Sequence, residues 1–89
     1  MRLISDNGSL NLSYDKWDFS ITSPYLIPPV FYIKANTDHR EIIVDSFPDI
    51  EQAKYVLSEI QKCDSEGKKE CQIKEIKEAM KNNQVVIDI

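Results

Sequence analysis

The chain is poor in several things that common functions require. Only Gly8 and Gly67 are glycines, so no Gly-rich loop can cradle a phosphate. His39 is the only histidine, and no nucleophile motif such as Gly-x-Ser-x-Gly is present. A lone histidine in a charged stretch, Thr37-Asp38-His39-Arg40, has no catalytic partner in the sequence and reads as a solvated turn residue. The two cysteines, Cys63 and Cys71, are too few for a secreted disulfide scaffold. With His39 they would supply three zinc ligands where structural sites use four at closer spacing. The pair reads as free thiols, with a disulfide closing the Asp64 to Glu70 loop as the alternative. No catalytic residue, metal or cofactor is therefore expected, and the chain does not read as an enzyme.

Basic charge is also short. Eleven Lys and Arg face fifteen Asp and Glu, for a net charge of −4. Residues 1–48 carry four basic and six acidic residues, and residues 49–89 carry seven and nine. Each part is −2, so no basic stripe hides behind an acidic average. Nucleic-acid binding draws most of its strength from Lys and Arg on phosphates, so direct binding is not expected. No run approaches the roughly 18 apolar residues of a membrane span. Met1 to Ser9 has one basic residue and no long apolar core, unlike a secretory signal. These absences predict a cytoplasmic protein without membrane attachment. At 89 residues one domain is expected, with a core too small for a deep, enclosed site.

What is present is a change of hydrophobic period along the chain. In the first half the apolar residues alternate. Arg2 to Ser5 reads as a short strand, and the turn Asp6-Asn7-Gly8 joins it to Leu10, Leu12 and Tyr14. Trp17, Phe19 and Ile21 alternate with Asp18 and Ser20. Val30 to Ala35 and Glu41 to Ser46 are β-branched or aromatic, joined by a turn over Asn36 to Arg40. Between these pairs, Pro24, Pro28 and Pro29 exclude a central strand and enclose Tyr25, Leu26 and Ile27.

In the second half Ile50, Ala53, Leu57 and Ile60 follow a helical stripe, with Val56 beside them. Asp49 and Gln52 resemble a capping box after Pro48, and the helix is expected to reach about Lys62. A polar loop with Gly67 follows. Ile73, Ile76 and Met80 predict a second helix from about Glu70 to Lys81, supported by a Glu70–Lys74 pair and ended by Asn82-Asn83. Val85 to Ile89 alternates as a last strand. The expected fold is α+β: an antiparallel sheet of four to five strands from two hairpins, two helices packed on one face, and a short C-terminal strand.

Met1-Arg2-Leu3-Ile4-Ser5, Gly8, and Leu10-Asn11-Leu12-Ser13-Tyr14-Asp15 resemble the opening of short uncharacterised proteins of Firmicutes phages and prophages. A strand like Phe31 to Ala35 and a helix beginning near Phe47 with an Ala like Ala53 extend the resemblance to about residue 62. Against that pattern, Pro24 to Pro29 looks like an insertion and everything after Cys63 like an extension. The family has no established activity, so no functional residue carries over. The resemblance implies a genomic setting in which small acidic proteins bind and block host proteins, defence nucleases included.

Two surfaces stand out for protein binding. Tyr25, Leu26 and Ile27 form an apolar loop that either anchors a partner or folds back over the edge of the core. Asp15 and Asp18 flank Trp17, and with Asp38, Glu41 and Asp45 they form either a solvated strand face or an acidic surface for a basic groove. The functional expectation is a non-enzymatic binding protein for a host or phage protein, an anti-CRISPR-like inhibitor of a host defence protein or nuclease. The alternative is an oligomeric protein that sequesters a small molecule or nucleotide. Homo-oligomerisation is open in the first reading and required by the second.

Overall fold

The computed structural model describes residues 1–24 and 27–87, with side chains described up to residue 82. Tyr25, Leu26, Asp88 and Ile89 lie outside the described residues. Among the described residues the chain forms six strands, two α-helices and one 3-10 turn. In order these are β1 (Arg2–Ile4), β2 (Asn11–Ser13), the 3-10 turn (Tyr14–Lys16), β3 (Asp18–Thr22), β4 (Phe31–Asn36), β5 (Glu41–Phe47), α1 (Ile50–Ser65), β6 (Glu70–Gln72) and α2 (Ile73–Ile87). The fold is α+β, as the change of period predicts.

The first hairpin forms where the Asn-Gly signal lies. The Gly8 amide donates to the Ser5 carbonyl at 2.9 Å, and Gly8 takes φ +75°, a conformation that favours glycine. The Asn7 carboxamide oxygen accepts from the Ser9 amide at 2.9 Å, closing the turn with its own side chain. The Ser5 hydroxyl is buried and accepts from the Leu10 amide at 3.0 Å, so its burial leaves no polar atom unmatched.

The strands make two three-stranded sheets rather than one sheet of four or five. One is the antiparallel meander β3-β4-β5. The other has the order β2-β1-β6, with β1 antiparallel to β2 and parallel to β6. Leu12, Leu3 and Cys71 are register partners across it, giving one buried residue per strand in a single row.

A bulge re-phases β5. Ile33 pairs with Asp45 and Lys34 with Ile43, leaving Val44 as the extra residue. Unbroken alternation from Ile42 and Val44 would turn Ser46 inward. With the bulge, Phe47 is buried opposite Phe31 and Ser46 is exposed.

Asp49 caps α1 as expected, with its carboxylate accepting from the Glu51 amide at 2.9 Å rather than from Gln52. The buried stripe is Ala53, Val56 and Ile60. Leu57 sits at its margin, half-buried, and Ile50 is 38% exposed. The helix ends in a Schellman motif. The Lys68 amide donates to the Cys63 carbonyl at 3.1 Å and the Gly67 amide to the Asp64 carbonyl at 3.0 Å, with Gly67 at φ +74°.

Three expectations for the C-terminal third are corrected. Glu70 to Gln72 is a strand, so Glu70 and Lys74 are not a helical pair. The second edge of β1 needs a hydrogen-bonding partner, and this tertiary demand overrides the weak helical preference of three residues. The helix runs through Asn82-Asn83 to Ile87. Two asparagines without a following Gly or Pro do not stop a helix already propagating from Ile73. The expected strand over 85–89 is therefore helical as far as Ile87, and its last two residues lie outside the described ones. α1 lies against β3, β4, β5 and β6, and α2 lies against α1, so the helices do not share one sheet face as equals.

Candidate functional site

The register of β3 and β4 decides which candidate residues meet. Asp18 pairs with Asn36 at one end of the hairpin, and Thr22 pairs with Tyr32 at the other. The acidic-aromatic candidates, Asp15, Trp17 and Asp18, therefore sit at the opposite end of β3 from the proline segment. The structure keeps the two candidate surfaces apart, at opposite ends of β3.

At the first end, the 3-10 turn and the β4–β5 turn converge. Asp15 is exposed on the 3-10 turn, and Asp18 is exposed at the start of β3. Trp17 is half-buried against the core. The Arg40 guanidinium lies 5.7 Å from its ring centroid, a cation–π contact between residues far apart in sequence. Arg40 is held by the Thr37 hydroxyl, which accepts its amide at 3.0 Å, and His39 is exposed in the same turn. Tyr14 stacks on Phe19 at 5.1 Å beneath this corner. Burial, then the charges of Asp64, Asp15 and Cys71, push the Tyr14 hydroxyl above its ordinary value.

The acidic face itself is interrupted. Glu41 pairs with Lys34, and Asp45 pairs with Lys77 at 3.2 Å with its side chain only 14% exposed. A continuous row of free carboxylates mimicking phosphates is therefore not what these five residues form. Asp18 and Asp38 have no ion-pair partner among the described residues.

At the other end, Ile27 is fully exposed, with Pro24, Pro28 and Pro29 exposed around it. Tyr25 and Leu26 lie outside the described residues. Phe31 pairs with Phe47, so the segment before β4 and the Phe47-Pro48-Asp49 connection into α1 leave the sheet at the same end. Exposed Ile50 thus shares that end with Ile27. Asp49 and Glu51, both exposed, flank Ile50.

A third feature lies between α1, β6 and α2. Tyr55, Glu59, Cys63, Lys68, Cys71 and Glu75 line an open depression of about 220 Å³. Small-molecule sites usually measure roughly 300–1,000 Å³. Both cysteines are free thiols, Cys63 half-buried and Cys71 buried. Burial first, then a hydrogen bond and charge from Cys63, push the Cys71 thiol up to about 12. Among the described residues no group of three or more His, Cys, Asp or Glu is placed to hold a metal ion. No helix among them is long and apolar enough to cross a membrane.

Lys77 joins α2 to Asp6 and Asp45 across distant chain segments, a link with no local signature in the sequence. The convergence of Cys63 and Cys71 depends on the Schellman turn and on β6. Gly67 was the one visible clue to it. No protein-family model, curated protein or solved structure matches the chain.

Proposed function

We propose that this chain is a non-enzymatic binding protein of phage or mobile-element type, which docks on a host protein of a defence system, a nuclease included, and blocks it. The observation that supports this reading is the full exposure of Ile27 within a proline-bounded segment. Leaving an isoleucine in water forgoes about 1.5–3 kcal/mol of burial, and a protein partner recovers it. Pro24, Pro28 and Pro29 restrict the backbone before binding, which lowers the ordering cost of docking. Ile50 at the same end of the sheet widens the apolar contact, and Asp49 and Glu51 give it an acidic rim. The net charge of −4 steers such a surface towards a basic partner.

The test uses the intact chain as bait in a Firmicutes lysate, beside the variants Ile27→Asp and Ile50→Asp. Wild type is expected to retain a protein that Ile27→Asp loses, and adding the wild-type chain is expected to inhibit that protein's activity. Equal capture by wild type and Ile27→Asp would remove this end of the sheet from the interface. Capture without any effect on the partner's activity would leave a binding protein but not an inhibitor.

A further inference from the structure

We propose that Cys63 and Cys71 are a redox-responsive dithiol, in which a small disulfide such as oxidised glutathione thiolates Cys63 and Cys71 then displaces it to close an intramolecular disulfide between the end of α1 and β6. This goes beyond the docking reading and does not depend on it.

The geometry comes from three local devices. The Schellman motif at Gly67 reverses the chain directly after Cys63. The Arg2 amide then donates to the Lys69 carbonyl at 2.8 Å, which starts β6 beside β1. Pairing of Cys71 with Leu3 fixes the Cys71 side chain on the buried face. The outcome is that both thiols line one depression between α1, β6 and α2.

Accessibility sets the order of events. Cys63 is half-buried on the rim of an open depression, whereas Cys71 is buried. An external disulfide therefore reaches Cys63 first. The Cys63 thiolate attacks one sulfur of oxidised glutathione, the S–S bond breaks, and one glutathione leaves with the electron pair and takes up a proton. Cys71 then loses its proton and attacks the Cys63 Sγ, and the second glutathione leaves with the electron pair of the mixed disulfide. Two protein thiols are oxidised by two electrons, and one glutathione disulfide is reduced to two thiols.

The first step favours the second. In the reduced protein, burial, the Cys63 hydrogen bond and the Cys63 charge all hold Cys71 protonated, while Lys68 acts in the other direction. Thiolation of Cys63 ends the part that thiol plays in holding Cys71 protonated. Burial and the favourable Lys68 charge remain, so the Cys71 thiolate becomes more accessible once Cys63 is modified.

The experiment incubates the full-length chain in glutathione buffers of increasing oxidised fraction, followed by acid quenching, alkylation and intact-mass and peptide analysis. The expected product is a monomer lighter by two hydrogens, in which the Cys63 and Cys71 peptides are linked. Closing this short loop is expected to raise the melting temperature by at least ~5 °C, reversibly with reductant. Cys71→Ala is expected to stop at a lasting glutathione adduct on Cys63, and Cys63→Ser to leave Cys71 unmodified. A wild-type adduct on Cys63 that persists as long as in Cys71→Ala would overturn the proposal. So would disulfides formed only between chains, or no reaction at Cys63. The wild-type time course decides the matter even where a Cys71 variant does not fold.

Discussion

The Lys77 ammonium lies 3.2 Å from the Asp45 carboxylate, joining the first half of α2 to the bulged part of β5. It also lies 3.1 Å from Asp6 and 5.5 Å from the centroid of the Phe47 ring. One side chain therefore ties α2 to a strand and to the first hairpin turn. Partial burial alone would pull the ammonium down, but hydrogen bonds and charge from Asp6 and Asp45 outweigh it and hold the group above its ordinary value. Lys77→Met keeps the stem and removes the charge. Because the groups are partly exposed, the expected loss is about 1 kcal/mol, shrinking as salt is added. Denaturant melts at low and high salt check both the size and the screening.

Alkaline pH is expected to destabilise the fold. Tyr14, Cys71 and Lys77 all have folded values raised above their ordinary ones. A raised group holds its proton more tightly when folded, so its contribution is complete below the unfolded value and lost as pH climbs through the folded one. For Cys71 that window runs from 9.0 to about 12. Stability is expected to be flat with respect to these three groups near neutrality and to fall above about pH 9. Urea midpoints from pH 7 to 10.5 measure the slope, and Cys71→Ala is expected to reduce it. A slope unchanged in that variant would assign the loss to Tyr14 and Lys77.

Within α1 the burial pattern ranks two substitutions. Ile60 is wholly buried, and Ile60→Ala is expected to cost about 2–5 kcal/mol. Leu57 lies at the margin of the core, and Leu57→Ala is expected to cost about 1 kcal/mol. Thermal melts of the two variants check the ranking, and a loss at Leu57→Ala as large as that at Ile60→Ala would place Leu57 inside the core rather than at its margin.

Ile27→Ser offers the complementary case. A fully exposed side chain adds nothing to the core, so its removal is expected to leave the melting temperature unchanged within about 0.5 kcal/mol. A clear drop would show that the proline segment covers the sheet and would shift the interface away from it.

How far the sequence carried is best judged residue by residue. Period-two alternation located β2 and β3, the Asn-Gly turn located β1, and β-branched and aromatic runs located β4 and β5. Asp49, Asn7 and Gly8 announced their cap and turn because that chemistry is local. The bulge at Val44 was latent in the spacing of Ile42, Val44 and Phe47, which alternation alone does not satisfy. β6 was not legible, since three residues around a single apolar Cys71 carry no period. Its strand character comes from the unpaired edge of β1. The candidate surfaces were legible as residue types but not as an arrangement. Only the fold brings Arg40 over Trp17.

β1 takes one neighbour from the residues that follow it directly and the other from near the far end of the chain. On the ribosome, Leu3 emerges first and Cys71 only after α1 is made. Until then the β6-facing edge of β1 is an open template, available to another nascent chain as readily as to its own β6. Slow translation or truncation ahead of Glu70 prolongs that exposure. A chain ending at Gly67 is accordingly expected to aggregate during expression where the 89-residue chain does not. The timing of synthesis, and not only the finished contacts, decides whether this protein accumulates.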